Sequence, residues 1–152
     1  MKKQTGIWLD LRNAWVINLP VVQDGEIVVQ HISSGIEENA AIENTRMGTT
    51  WGPHGGNNQH TVEERRHHEE KHFFSNILKH IHPSTEELVI FGPSEAKIGL
   101  EKMLLDQHNA PKLMGIETAD HMTEHQMTAW VRDYFGRPAA RKLPKYGQVY
   151  NQ

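Results

Sequence analysis

The chain contains no cysteine, which excludes a disulfide framework and any thiolate metal centre. It also lacks a long apolar run. No stretch approaches the roughly 20 residues that a bilayer crossing needs, and residues 1–19 are interrupted by Asp10, Arg12 and Asn13 too early for a secretory leader. A cytoplasmic protein with no membrane contact is the expectation. Nor is there an excess of positive charge. The formal net charge of −3 argues against a surface that grips nucleic acid throughout and leaves only local basic patches. A hydrophobic fraction of 37% is modest for 152 residues, a length that can bury one core without staples, so a sizeable part of the chain must be exposed. No internal repeat is present.

What is present is organised around residues 54–81, HGGNNQHTVEERRHHEEKHFFSNILKHI. In its second half Phe73, Phe74, Ile77, Leu78 and Ile81 recur at spacings of three and four, the signature of a helix with a face to bury. From Glu63 to His72 every residue is acidic, basic or histidine. Such a segment is held helical by pairs such as Arg65 with Glu69 and Arg66 with Glu70, so it should project from the domain. Thr61 with Glu64 fits a capping box, which predicts a helix start just after Gln59 and His60 and places Gly55, Gly56 and Gln59 in a loop at the exposed tip.

Before this helix, Ile7, Leu9 and Leu11 alternate with Trp8 and Asp10, as in a strand with one buried face. Arg12-Asn13 turns into a second strand over 14–19. Asp24-Gly25 marks a hairpin into a third over 26–32. Residues 33–60 have no sustained period and form a long loop containing Trp51. After the helix, Glu86 to Phe91 predicts a central strand covered on both faces. Ser94 is placed to cap a helix carrying Ala96, Ile98, Met103 and Leu104. A fifth strand over 113–118 follows, and then a last helix opened by Thr123 and Gln126, with Met127, Trp130, Val131 and Tyr134 as its stripe. Three antiparallel strands then two βα units predict an α/β fold: a mixed five-stranded sheet, helices on both faces and a long projecting first helix. Ribonuclease H-like domains have this element order. One domain over 1–136 is expected, with residues 137–152 as a basic flexible tail carrying Arg137, Arg141, Lys142 and Lys145.

Three chemistries can be weighed. A ribonuclease H-like nuclease needs carboxylates converging from several strands on divalent metal. Asp10 sits at the first position, but the fourth strand ends in Gly92-Pro93-Ser94 and the fifth offers only Glu117 or Asp120. His68-Glu69-Glu70-Lys71-His72 satisfies H-E-x-x-H, whose two imidazoles share a helix face and can bind zinc. Its context argues against a zinc hydrolase: no third ligand follows at the usual spacing, the flanking residues are charged, and 11 histidines make a chance match easy. Adventitious metal binding by His67, His68 and His72 is the plainer reading, and no metal or cofactor is expected. The third is Gly55-Gly56-Asn57-Asn58-Gln59. Glycine lets a backbone approach a ligand closely, and a glutamine amide cannot act as a base but can donate and accept hydrogen bonds to position water. The same residues also make an ordinary flexible turn.

The chain resembles the middle domain of the eukaryotic and archaeal class-one peptide chain release factor family, and more closely the stand-alone bacterial relatives of that domain. The resemblance rests on Gly55, Gly56 and Gln59 between the third strand and a polar first helix, on EERRHHEEKHFFSNIL, and on VIFGPSEAKIGLEKML with Gly92, Pro93 and Lys97. It runs from about residue 6 to 135. Two asparagines separate Gly56 from Gln59, giving the Gly-x-x-Gln form found in relatives that release chains from obstructed large subunits. The resemblance implies a ribonuclease H-like sheet and a partner in the ribosome or large ribosomal subunit with peptidyl-tRNA. It further implies ester hydrolysis promoted by Gln59 with Gly55 and Gly56. Arg46, the only fixed cation between Ser33 and Thr61, would contact ribosomal RNA together with Arg141, Lys142 and Lys145. A non-catalytic ribosome- or RNA-binding module of the same fold is the alternative.

Overall fold

The computed structural model describes residues 2–22, 24–35 and 55–136, with the side chains of 55–62 outside that description. Its elements are β1 (Gln4–Leu9), β2 (Asn13–Asn18), β3 (Val28–Ser33), α1 (Gly55–Lys79), β4 (Glu87–Gly92), α2 (Ala96–Leu105), β5 (Lys112–Thr118) and α3 (Glu124–Gly136). The five strands form one mixed sheet in the order β3-β2-β1-β4-β5. β1 pairs antiparallel with β2, and β2 with β3, while β1–β4 and β4–β5 are parallel. The expected α/β architecture is therefore present, with β2 to β5 within two residues of their predicted bounds and β1 beginning three residues earlier than the alternation from Ile7 suggests.

Helices cover both faces. Phe73, Phe74, Ile77 and Leu78 of α1 and Ala96, Leu100 and Leu104 of α2 pack with Ile7, Leu9, Val16, Leu88 and Ile90 on one side. On the other, Met127, Val131, Tyr134 and Phe135 of α3 pack with Trp8, Ile17, Val89 and Phe91. This corrects the one-faced reading of β1. Trp8 is 1% exposed and faces α3, whereas Leu11 lies beyond the strand and is 51% exposed. β1 is the middle strand, and a middle strand with helices above and below buries both of its side-chain rows. β4 is buried along its whole length, as its apolar run predicts.

Local chemistry fixes the joints. Leu113 and Ile116 both pack on the α1/α2 side although three residues apart, which a regular strand forbids. A register shift resolves this, because Leu88 pairs with Leu113 but Val89 pairs with Gly115, leaving Met114 as an extra residue. Gly92 has φ of 151° and a Cβ there would run into the Leu9 carbonyl oxygen, so the turn out of β4 requires glycine. The capping box of α3 is formed: Thr123 N–H donates to Gln126 Oε1 at 2.9 Å and Gln126 N–H to Thr123 Oγ1 at 3.1 Å. At α2 the N-cap position is Glu95, without a side-chain cap bond, and Ser94 Oγ instead accepts from Ala96 N–H at 3.2 Å.

The start of α1 differs from the expectation. The helix begins at Gly55, so Thr61 lies within it and does not cap it. Extending a helix already nucleated downstream adds a hydrogen bond per residue fixed. Asn and Gln in the added turns cost under about 1 kcal/mol each relative to alanine. Residues 36–54, which include Arg46 and Trp51, and the tail 137–152 lie outside the described residues.

Candidate functional site

The site singled out by the sequence sits at the head of α1. The backbone of Gly55, Gly56 and Gln59 occupies the first five residues of that 25-residue helix. The predicted Gly-Gly loop is thus a helix N-terminus, and the last six residues of the predicted 33–60 loop are helical. An α-helix leaves the N–H groups of its N-cap and first three residues without intrahelical acceptors, here, among the described residues, those of 55–57. The Gln59 side chain lies outside the described residues.

Below this head residues 63–68, 71 and 72 are exposed and Glu69 and Glu70 are half-buried, and among the described side chains of the helix the first buried one is Phe73. Residues 55–72 precede it, a rise of about 27 Å. The charged half carries four carboxylates against three fixed cations over 63–72, so this part of the arm offers phosphate no net attraction. His68 and His72 are exposed on it, and among the described residues no group of three or more His, Asp or Glu converges in a way that could hold a metal ion.

The root of the arm is held by groups that sequence reasoning missed. Asn18, 4% exposed at the end of β2, uses both ends of its amide. Its Nδ2 donates to His80 O at 3.3 Å, and its Oδ1 accepts from His82 N–H at 3.3 Å and from Thr5 Oγ1 at 2.7 Å. Because the Thr5 hydroxyl proton is committed to Asn18, the 2.8 Å contact between Thr5 and Thr85 has Thr85 as donor. The chain leaving α1 is thereby stapled to the sheet between β1 and β2. These partners are up to 80 residues apart, and no local pattern marks them. Phe74 completes the root, since a Cβ on Gly99 of α2 would lie 2.6 Å from its ring.

The strand carboxylates have other employment. Asp10 Oδ1 accepts from the Arg12 and Asn13 N–H groups at 2.8 Å each, and Oδ2 lies 2.9 Å from His121 Nε2. Asp10 is therefore a turn-forming group, with its second oxygen tied to the segment after β5. Glu117 lies half-buried on β5, and the Asp120 carbonyl accepts from Trp8 Nε1 at 3.2 Å. Lys97, singled out with Gly92 and Pro93, donates from Nζ to Ser94 O at 2.7 Å and ties down the entry to its own helix.

No family model matches the chain, and no curated protein matches it. Among solved structures it is similar to the crystal structure of an archaeal translation termination factor, aRF1, with 11% sequence identity and a TM-score of 0.52. The match covers 98% of this chain and 38% of the length of that protein. At this identity the likeness is one of fold.

Proposed function

We propose that this chain is a release-factor-like protein with a ribonuclease H-like sheet, a stand-alone bacterial relative of the release factor middle domain. It acts on ribosomes or large subunits that hold peptidyl-tRNA. The observation that carries the reading is the charged half of α1, exposed or half-buried over 63–72, which places the backbone of Gln59, Gly56 and Gly55 about 21–27 Å along the helix axis from Phe73. The fold likeness to a termination factor over 98% of the chain supports it.

In the proposed reaction a water oxygen attacks the ester carbonyl carbon that joins the peptide to the tRNA ribose. The carbon–oxygen bond to the ribose breaks, leaving a peptide carboxylate and a free tRNA hydroxyl. The Gln59 amide orients the water, and the glycines allow close approach of backbone. The N–H groups at the helix head are candidate donors to the developing oxyanion. Proton transfer falls to the substrate or the ribosome, since glutamine carries no titratable proton. Arg46, Arg141, Lys142 and Lys145 contribute charge contacts to ribosomal RNA.

The test is release of labelled peptide from stalled ribosomes and from isolated large subunits. Wild type should release peptide well above background, and Gln59→Ala should lose release by tenfold or more, on the order of the loss for one positioning contact. Equal background release by both removes the hydrolytic reading. The helical form of the Gly-x-x-Gln segment favours the second reading, a binding module without chemistry, which predicts co-sedimentation with ribosomes and no release.

A further inference from the structure

Where α1 ends, a cleft of about 310 Å³ opens between the helix terminus, the following segment and the near edges of β1, β2 and β3. Lys3, Lys79, His80 and His82 line it with Asn18 and Gln30, and no carboxylate does. Neither lysine ammonium has a side-chain partner among the described residues. The imidazoles are held in defined states. His82 Nδ1 accepts from Ser84 N–H at 3.0 Å, so the neutral ring carries its proton on Nε2 as a donor. His80 Nδ1 lies 2.8 Å from the Asn76 carbonyl, which only accepts, so this nitrogen is the protonated one. The wall bearing both histidines is fixed through Asn18, whose amide bonds to His80 O and His82 N. Two fixed cations, a ring N–H donor and the Gln30 side-chain amide around one cleft form a receptor for an oxyanion.

We propose that this cleft at the root of the arm binds the phosphodiester backbone of RNA. Lys3 and Lys79 supply the charge contacts and His82 Nε2 donates a hydrogen bond. The volume suits one phosphate with its ribose. None of the lining residues is Phe, Tyr or Trp, so the cleft lacks the large aromatic faces on which a free nucleotide or a base-reading site stacks its base. Backbone contact without base readout is what remains. RNA is preferred over free phosphate because this rests on the ribosomal reading above. The cleft also supplies the attraction that the charged half of the arm, with four carboxylates against three cations, does not.

The experiment measures binding of the full chain to a labelled single-stranded RNA of mixed sequence across a salt series. The pair Lys3→Gln/Lys79→Gln should bind more weakly, and its plot of log affinity against log salt should be shallower than wild type by about 1.4, two contacts' worth for a single strand. Lys3→Arg/Lys79→Arg should keep the wild-type slope, and the control Lys102→Gln/Lys112→Gln, on exposed lysines elsewhere, should leave it unchanged. An unchanged slope in the cleft variant overturns the proposal. So does a result in which inorganic phosphate raises the melting temperature through the two lysines while RNA binding ignores them. The release assay is separate: RNA binding through Lys3 and Lys79 with no peptide release upholds the cleft and removes the release reading. Release with an unchanged salt slope does the reverse.

Discussion

Asn18 and His121 both make side-chain hydrogen bonds that tie distant segments together, yet their consequences differ by burial. Truncating Asn18 removes acceptor and donor at once, leaving Thr5 Oγ1, His80 O and His82 N–H to find new partners in a site 4% exposed at the asparagine. Each buried group left unsatisfied costs about 1–3 kcal/mol. Asn18→Ala should therefore lower unfolding free energy by at least about 2 kcal/mol in a urea titration. The His121 side chain is 72% exposed, and its 2.9 Å contact with Asp10 sits in water. His121→Ala should cost less than about 1 kcal/mol in the same titration. A loss of 2 kcal/mol at His121, or none at Asn18, would contradict this ranking. Residues whose partners are close in sequence were legible: the Thr123 and Gln126 box is visible because its members are three apart. Asn18 was not, because an asparagine at a strand end looks the same whether it meets water or a chain returning 62 residues later.

At the scale of the element, α1 has two regimes of stability in one continuous helix. Its last turns are fixed by Phe73, Phe74, Ile77 and Leu78, each under 10% exposed. The charge pairs that the sequence places four apart in its charged half are worth a few tenths of a kcal/mol each and are weakened by salt. Hydrogen exchange should separate them. Amides of residues 64–71 should exchange through local fraying and faster in high salt, and amides of 75–79 should approach the protection of the central strands. Uniform protection along the helix would mean that something packs on the arm. The two characters of α1 were readable from periodicity, which reports burial. Its first residue was not, because Thr61 and Glu64 satisfy a capping pattern that the extended helix does not use. A cap is worth about 1 kcal/mol, a margin that continued helix can offset.

At the scale of the molecule, the element order could be read from the sequence but not the strand order. The run of strands and helices is local, whereas placing β4 beside β1 depends on contacts such as Ile7 with Ile90, 83 residues apart. The same pairing makes one cooperative body of two cores, because β1 and β4 contribute alternate residues to both faces. Gly6 tests this. A Cβ there would overlap the Val131 side chain of α3, so Gly6→Ala should cost about 1–3 kcal/mol by pushing α3 off the sheet. Adding Val131→Ala opens the space, and the double variant should be less destabilised than the sum of the singles, with a coupling above about 0.5 kcal/mol. In a body that unfolds as one, Gly6→Ala should also lower the exchange protection of residues 75–79 on the opposite face by the same free energy it takes from α3. Loss confined to α3 would show the faces unfolding separately. The arm's root would then draw its rigidity from α2 and the Asn18 staple alone.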